Sequence, residues 1–179
     1  MRPAGGRVLY PNLPGVVGED RFSRCGDYRF VLRKKWGDGP TLVAIMLNPS
    51  TAFADADDPT VRRVVLRAMD LGYGSLVVLN AYAYRATNPR ELRETADPVG
   101  PDNNKLIEEN VKDAAAVLIA WGNRGAPRAP EILSILAQAD VPVYRLGRPT
   151  GKGNPRHPLY LSKQTGLEPL DLTQKDRKA

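Results

Sequence analysis

The sequence predicts an α/β fold: three α/β/α layers around a mainly parallel, four-stranded central sheet. Three observations carry this. Residues 42–47, 76–79, 116–121 and 141–146 are short apolar runs, the pattern of strands buried on both faces. Segments with helical spacing of apolar residues separate them, and alternation of strand and helix argues a parallel sheet with helices on both faces. The first three runs end in polar or turn-forming residues, at Asn48-Pro49, Asn80 and Gly122.

In chain order, residues 1–24 open rich in Gly and Pro and predict an irregular amino-terminal arm; 25–172 predict a single α/β domain. Tyr28-Arg29-Phe30-Val31-Leu32-Arg33 partly alternates in polarity and reads as a half-exposed strand. Gly37-Asp38-Gly39-Pro40 is turn chemistry before the first apolar run. Asp58-Pro59-Thr60 reads as a helix start, where a carboxylate offsets the helix dipole. Val61, Val64, Val65, Ala68 and Met69 follow on one helical face, Arg62, Arg63 and Arg67 on the other, and Gly72 and Gly74 end the helix. A second helix is predicted over 102–113 and a third over 130–138. The polar tail, 173–179, is expected to fray.

Composition narrows the function classes. The chain has 179 residues and 42% hydrophobic content, enough for a full core without disulfides or metals. Its lone Cys25 and lone His157 make a protein zinc site improbable, and no metal or cofactor is expected. No apolar run reaches the length of a membrane span, and residues 1–6 lack the apolar centre of a signal peptide, so a cytoplasmic location without membrane contact is expected. A net charge of +6 is compatible with a polyanionic partner such as nucleic acid. Gly147-Arg148-Pro149-Thr150-Gly151-Lys152-Gly153 has the composition of a phosphate loop but not its spacing.

Longer motifs carry a resemblance. Asn48-Pro49-Ser50-Thr51-Ala52, Asp57-Asp58-Pro59-Thr60-Val61-Arg62-Arg63, Asn80-Ala81-Tyr82-Ala83-Tyr84-Arg85-Ala86-Thr87, Asp97-Pro98-Val99-Gly100-Pro101-Asp102-Asn103 and Arg156-His157-Pro158-Leu159-Tyr160 resemble the signature of a bacterial family designated domain of unknown function 1643. The layout is also similar to the uracil-DNA glycosylase superfamily. Met46-Leu47-Asn48-Pro49-Ser50 stands where branches of that superfamily end the first core strand in Gly-x-Asn-Pro-Gly. Leu79-Asn80 matches the strand ending in a pyrimidine-reading Asn, Ala120-Trp121-Gly122 resembles Leu-Trp-Gly, and His157-Pro158-Leu159 resembles His-Pro-Ser. Leu47 and Ser50 replace the motif's glycines, and Leu159 replaces the serine.

The resemblance implies a pocket for a nucleobase, with hydrolysis of its N-glycosidic bond as the possible activity. That reaction needs a held water, a donor at the base oxygen and a reader of the base edge. Asn48 suits the water, or caps a turn. Asn80 carries both a donor and an acceptor for a base edge, or satisfies loop backbone. Phe53 and Tyr82 are candidate stacking platforms, or packing residues. Pro49 fixes the bend after Asn48 and, with Ser50, is placed on the substrate side. His157 is the candidate donor to the leaving base. Arg85 and Arg156 are candidate phosphate contacts. Asp55, Asp57 and Asp58 form an acidic cluster that activates water, binds a divalent ion, or serves the helix start. The expected partner is nucleic acid, DNA more than RNA, or a free nucleoside or nucleotide. A binding module without catalysis, or an enzyme of free nucleosides, is the alternative.

Overall fold

The computed structural model describes residues 9–172. The elements are β1 (Tyr10–Pro11), β2 (Val17–Phe22), β3 (Arg29–Lys35), β4 (Thr41–Met46), β5 (Ala56–Asp57), α1 (Pro59–Asp70), β6 (Ser75–Asn80), α2 (Asn103–Val111), β7 (Ala116–Ile119), α3 (Ala129–Ala139), β8 (Val143–Leu146) and β9 (Leu167–Pro169). Three short 3-10 turns lie at Glu91–Arg93, Asn123–Arg128 and Pro158–Tyr160.

The fold is α/β, but the four-stranded, mainly parallel sheet expected from the apolar runs is corrected to a mixed sheet of seven strands, in the order β2-β3-β6-β4-β7-β8-β9. β4 pairs in parallel with β6 and β7, and β7 with β8. β2, β3 and β9 are added by antiparallel pairing. The supposedly irregular arm therefore supplies an edge strand, β2, and also β1, which pairs with β5 in a separate two-stranded ribbon. The predicted tail, 173–179, lies outside the described residues.

Alternation along the strands divides the core. Leu42, Ala44, Met46, Leu76, Val78 and Leu118 face one way and pack under Val61, Val64, Val65 and Ala68 of α1. Val43, Ile45, Val77, Leu79, Val117 and Ile119 face the other and pack under Leu106, Ile107 and Val111 of α2 and Ile132 and Leu136 of α3. Each strand needs apolar residues at every position because both faces are covered. β3, read from sequence as half-exposed, is mostly buried, since it lies between β2 and β6.

Helix α1 starts where its sequence dictates. Asp58 Oδ1 accepts from the backbone N–H of Thr60 and Val61, both at 2.9 Å, and Pro59 occupies the first turn, where no N–H is needed. Buried ionic contacts fix the segment before it. Lys34 and Asp57 are both essentially inaccessible, 3.0 Å apart, and Asp57 also meets Arg62 Nε at 3.1 Å. Lys34 Nζ further donates to Asn12 Oδ1 and to the carbonyls of Phe53 and Ala54, so one ammonium ties β3 to the arm and to the loop between β4 and α1.

Candidate functional site

The parallel strands β6, β4, β7 and β8 are taken in the order second, first, third, fourth. From the neighbouring strands β4 and β7 the chain therefore departs to opposite sides, from β4 through α1 to β6 and from β7 through α3 to β8, and a crevice opens beyond their carboxyl ends. A cleft of about 510 Å³ occupies that place, a size typical of small-molecule sites. Loops after all four parallel strands line it, together with the start of α1 and Arg29 of β3.

Asn48, Ser50, Arg156 and His157 meet in this cleft. Asn48 follows β4 and donates its side-chain amide to the carbonyls of Pro49 at 2.8 Å and Ala86 at 2.7 Å. Those two acceptors orient the amide and leave its Oδ1 as the acceptor available to a ligand or water. Pro49 is buried beside it. His157 precedes the 3-10 turn Pro158–Tyr160, and its Nδ1 accepts from Leu159 N at 3.4 Å. An accepting Nδ1 places the imidazole proton on Nε2, the tautomer of a neutral donor. Tyr160, 82% exposed, stands at the lip with its ring centroid 6.0 Å from that of His157.

Other predicted residues lie elsewhere. Asn80 is buried at the end of β6 and does not line the cleft; neither its Oδ1 nor its Nδ2 has a hydrogen-bond partner among the described residues. Phe53 and Arg85 border an adjoining pocket of about 350 Å³, which shares Ser50, Ala86 and Thr87 with the cleft. There the Arg85 guanidinium lies over the Phe22 and Phe53 rings, 5.1 and 5.4 Å from their centroids, and donates to the Gly26 carbonyl at 3.1 Å. Tyr82 packs partly buried against the α2 and α3 side of the core, and burial raises its phenol pKa.

Sequence reasoning placed Trp121 at the pocket wall, missed Arg29 and Arg124 as lining residues, and treated Asp58 mainly as a cap. Asp58 is that cap, and it also borders the cleft. Arg29 is 2% exposed. Burial draws its guanidinium down to about 10, with Asp20 and Asp58 opposing the shift, so it is charged at neutral pH. Its neighbours Tyr28 and Phe30 gave the only signal, a charge inside an aromatic-flanked strand.

Several of the basic residues hold the structure. Arg63 Nη1 donates to the Leu161 carbonyl at 3.0 Å, and Arg67 Nη2 to that of Ser162 at 3.0 Å, so α1 fastens the segment that follows His157. Arg128 Nε donates to the Ala81 carbonyl at 2.9 Å, and its other nitrogens reach Glu131 and Asn104. The glycine-rich loop 147–153 closes on itself and on Asn123: Thr150 Oγ1 donates to Asn123 Oδ1 at 2.6 Å, and Thr150 N to the Asn154 carbonyl at 2.8 Å. Among the described residues no cluster of His, Cys, Asp and Glu could hold a metal ion, and no helix is long and apolar enough to cross a membrane.

No curated protein matches the chain. A solved structure of a ferulic acid esterase aligns with 77% of this chain and 89% of its own at 11% identity, with a TM-score of 0.24, too low to carry an argument. A family model does match, over residues 29–159, a span that includes Arg29, Asn48 and His157. The chain belongs to the family described as Protein of unknown function (DUF1643).

Proposed function

We propose that the cleft binds a nucleobase-bearing ligand and hydrolyses its N-glycosidic bond, as the uracil-DNA glycosylase superfamily does. The observation that supports this is the meeting of Asn48 and His157, from loops 109 residues apart, beyond the ends of parallel strands. Glycosidic cleavage develops positive charge on the sugar and negative charge on the departing base. Asn48 Oδ1 accepts from the attacking water and holds it without abstracting its proton early. Asp58, also in the lining, takes that proton as the bond breaks. His157 Nε2–H donates to the base oxygen as charge builds there; one preorganised donor of this kind is worth about 3–4 kcal/mol of barrier. Trp121 and Gly122 also line the cleft.

Asn80 is not in the lining, and in this reading it no longer contacts the base. Arg156, exposed at the cleft, contacts phosphate.

The test is base release followed by mass spectrometry. Substrates are single- and double-stranded DNA and RNA carrying uracil, hypoxanthine or alkylated bases, and free nucleosides and nucleotides. His157→Asn keeps an acceptor for Leu159 N while removing the imidazole, and His157→Ala removes both. Release by the native chain that falls about 100-fold or more in both variants is expected. No release from any substrate, or release unchanged in both variants, overturns the reading.

A further inference from the structure

Three cations are buried among the described residues: Arg29, Lys34 and Arg128. Two are fully engaged. Lys34 meets Asp57 and three further oxygens, and Arg128 uses all three guanidinium nitrogens. Arg29 is different. Its Nη1 donates to the Ala52 carbonyl, while Nε is buried without a hydrogen-bond partner, and Nη2 has none among the described residues. No carboxylate lies within ion-pairing distance of it among the described residues, although Asp20 and Asp58 act on it from farther away. The chain thus keeps a charged donor group out of water and leaves half of it unmatched, an arrangement that is costly unless something else completes it.

The unmatched half has a definite shape. Nε–H and Nη2–H lie on one edge of the planar guanidinium and point the same way. This is an edge that grips two oxygens of a carboxylate or phosphate at once. The Ala52 contact holds the plane from the opposite side, and Arg29 borders the cleft. Charge in the lining agrees: Arg29, Arg124 and Arg156 stand against Asp58, whose Oδ1 already serves two backbone N–H groups.

We infer that the cleft takes a nucleotide monomer whose terminal phosphate reaches the Nε–Nη2 edge of Arg29. The inference rests on the reading that the cleft binds a nucleobase-bearing ligand, and it chooses the monomer over the polymer. A phosphodiester within a strand carries chain on both sides and stays near the rim, where Arg156 is. A terminal monoester ends in free oxygens and can be carried inward to a guanidinium that is 2% exposed.

The test is calorimetric titration of the full chain with the four common ribonucleosides, their 5′-monophosphates, inorganic phosphate and a twelve-residue oligothymidylate. At least one monophosphate is expected to bind about tenfold or more tightly than its nucleoside, the scale of charged hydrogen bonds. Arg29→Gln should abolish that ratio, and Arg29→Lys, which keeps the charge without the edge, should lose most of it. Equal binding of nucleoside and monophosphate, or tighter binding of the oligonucleotide than of every monophosphate, overturns the inference and leaves the base-binding reading intact. Phosphate bound through Arg29 with no nucleoside or nucleotide bound leaves the anion site but removes the base-binding reading. No binding of any probe overturns both. The comparison of nucleoside with monophosphate in the native chain decides the matter even where a variant does not fold.

Discussion

The side-chain amide of Asn48 donates to the backbone carbonyl of Ala86 at 2.7 Å, joining the loop after β4 to the loop after β6. The same amide holds the Pro49 carbonyl at 2.8 Å. Asn48 is thus both a wall of the cleft and the brace between two of its loops. Asn48→Ala leaves two carbonyls without that donor and is expected to destabilise the fold by roughly 1–3 kcal/mol. Asn48→Asp turns a carboxylate oxygen toward the same carbonyls and is expected to cost at least as much. Urea unfolding midpoints check this, and an Asp variant as stable as the native chain would show that the brace does not matter.

The buried Lys34–Asp57 pair yields a second prediction. Removing one partner strands the other charge away from water, so Lys34→Met is expected to cost about 3–5 kcal/mol. In Lys34→Met with Asp57→Leu no charge of the pair is stranded, so the double variant should lose less than the two single losses added together. Arg62 keeps part of its contact to Asp57 in the single variant and softens that loss. Chemical denaturation of the three variants measures the coupling; strictly additive losses would mean that the two charges act independently.

Gly122 supplies a third. It has φ 69° and ψ −173°, a backbone region open essentially to glycine alone. A Cβ there would lie 3.6 Å from His157 Cβ, ordinary contact, so the penalty of Gly122→Ala comes from the backbone and not from a clash. The expected loss is about 1–3 kcal/mol. The turn also abuts the His157 segment, so His157 ring resonances should move in the NMR spectrum of the folded variant. A variant that melts at the native temperature with an unmoved His157 would refute the assignment.

Much of the fold was legible because hydrophobic burial writes itself into the chain. The four strands at the centre are apolar at nearly every position, and the Asp58-Pro59 start and apolar stripe of α1 are local chemistry. The edge strands were not legible. β2 reads Val-Gly-Glu-Asp-Arg-Phe and β9 is three residues. Charges and shortness suit an edge, which must resist further pairing, and they erase the hydrophobic signal. In the site, Asn48 and His157 could be picked out as polar residues at a strand end and in a loop. Asn80 sits at a strand end too, yet it lies buried rather than in the cleft. Phe53 and Arg85 stack on each other beside the neighbouring pocket, a contact between residues 32 positions apart that no local pattern announces.

The sequence by itself determined the α/β class, the central strands, the capped start of α1 and the concentration of polar residues at strand ends. Each of these follows from hydrophobic period or from chemistry within a few residues. Tertiary structure alone decided the strand order, the antiparallel edges, which strand-end residues share the cleft, and which cations are matched. Those depend on distances between segments far apart in the chain. Arg29 shows the difference: its sequence context is that of an ordinary strand arginine, and only the packing of β3 beside the cleft, with Nη1 taken by Ala52, leaves its Nε buried and without a hydrogen-bond partner.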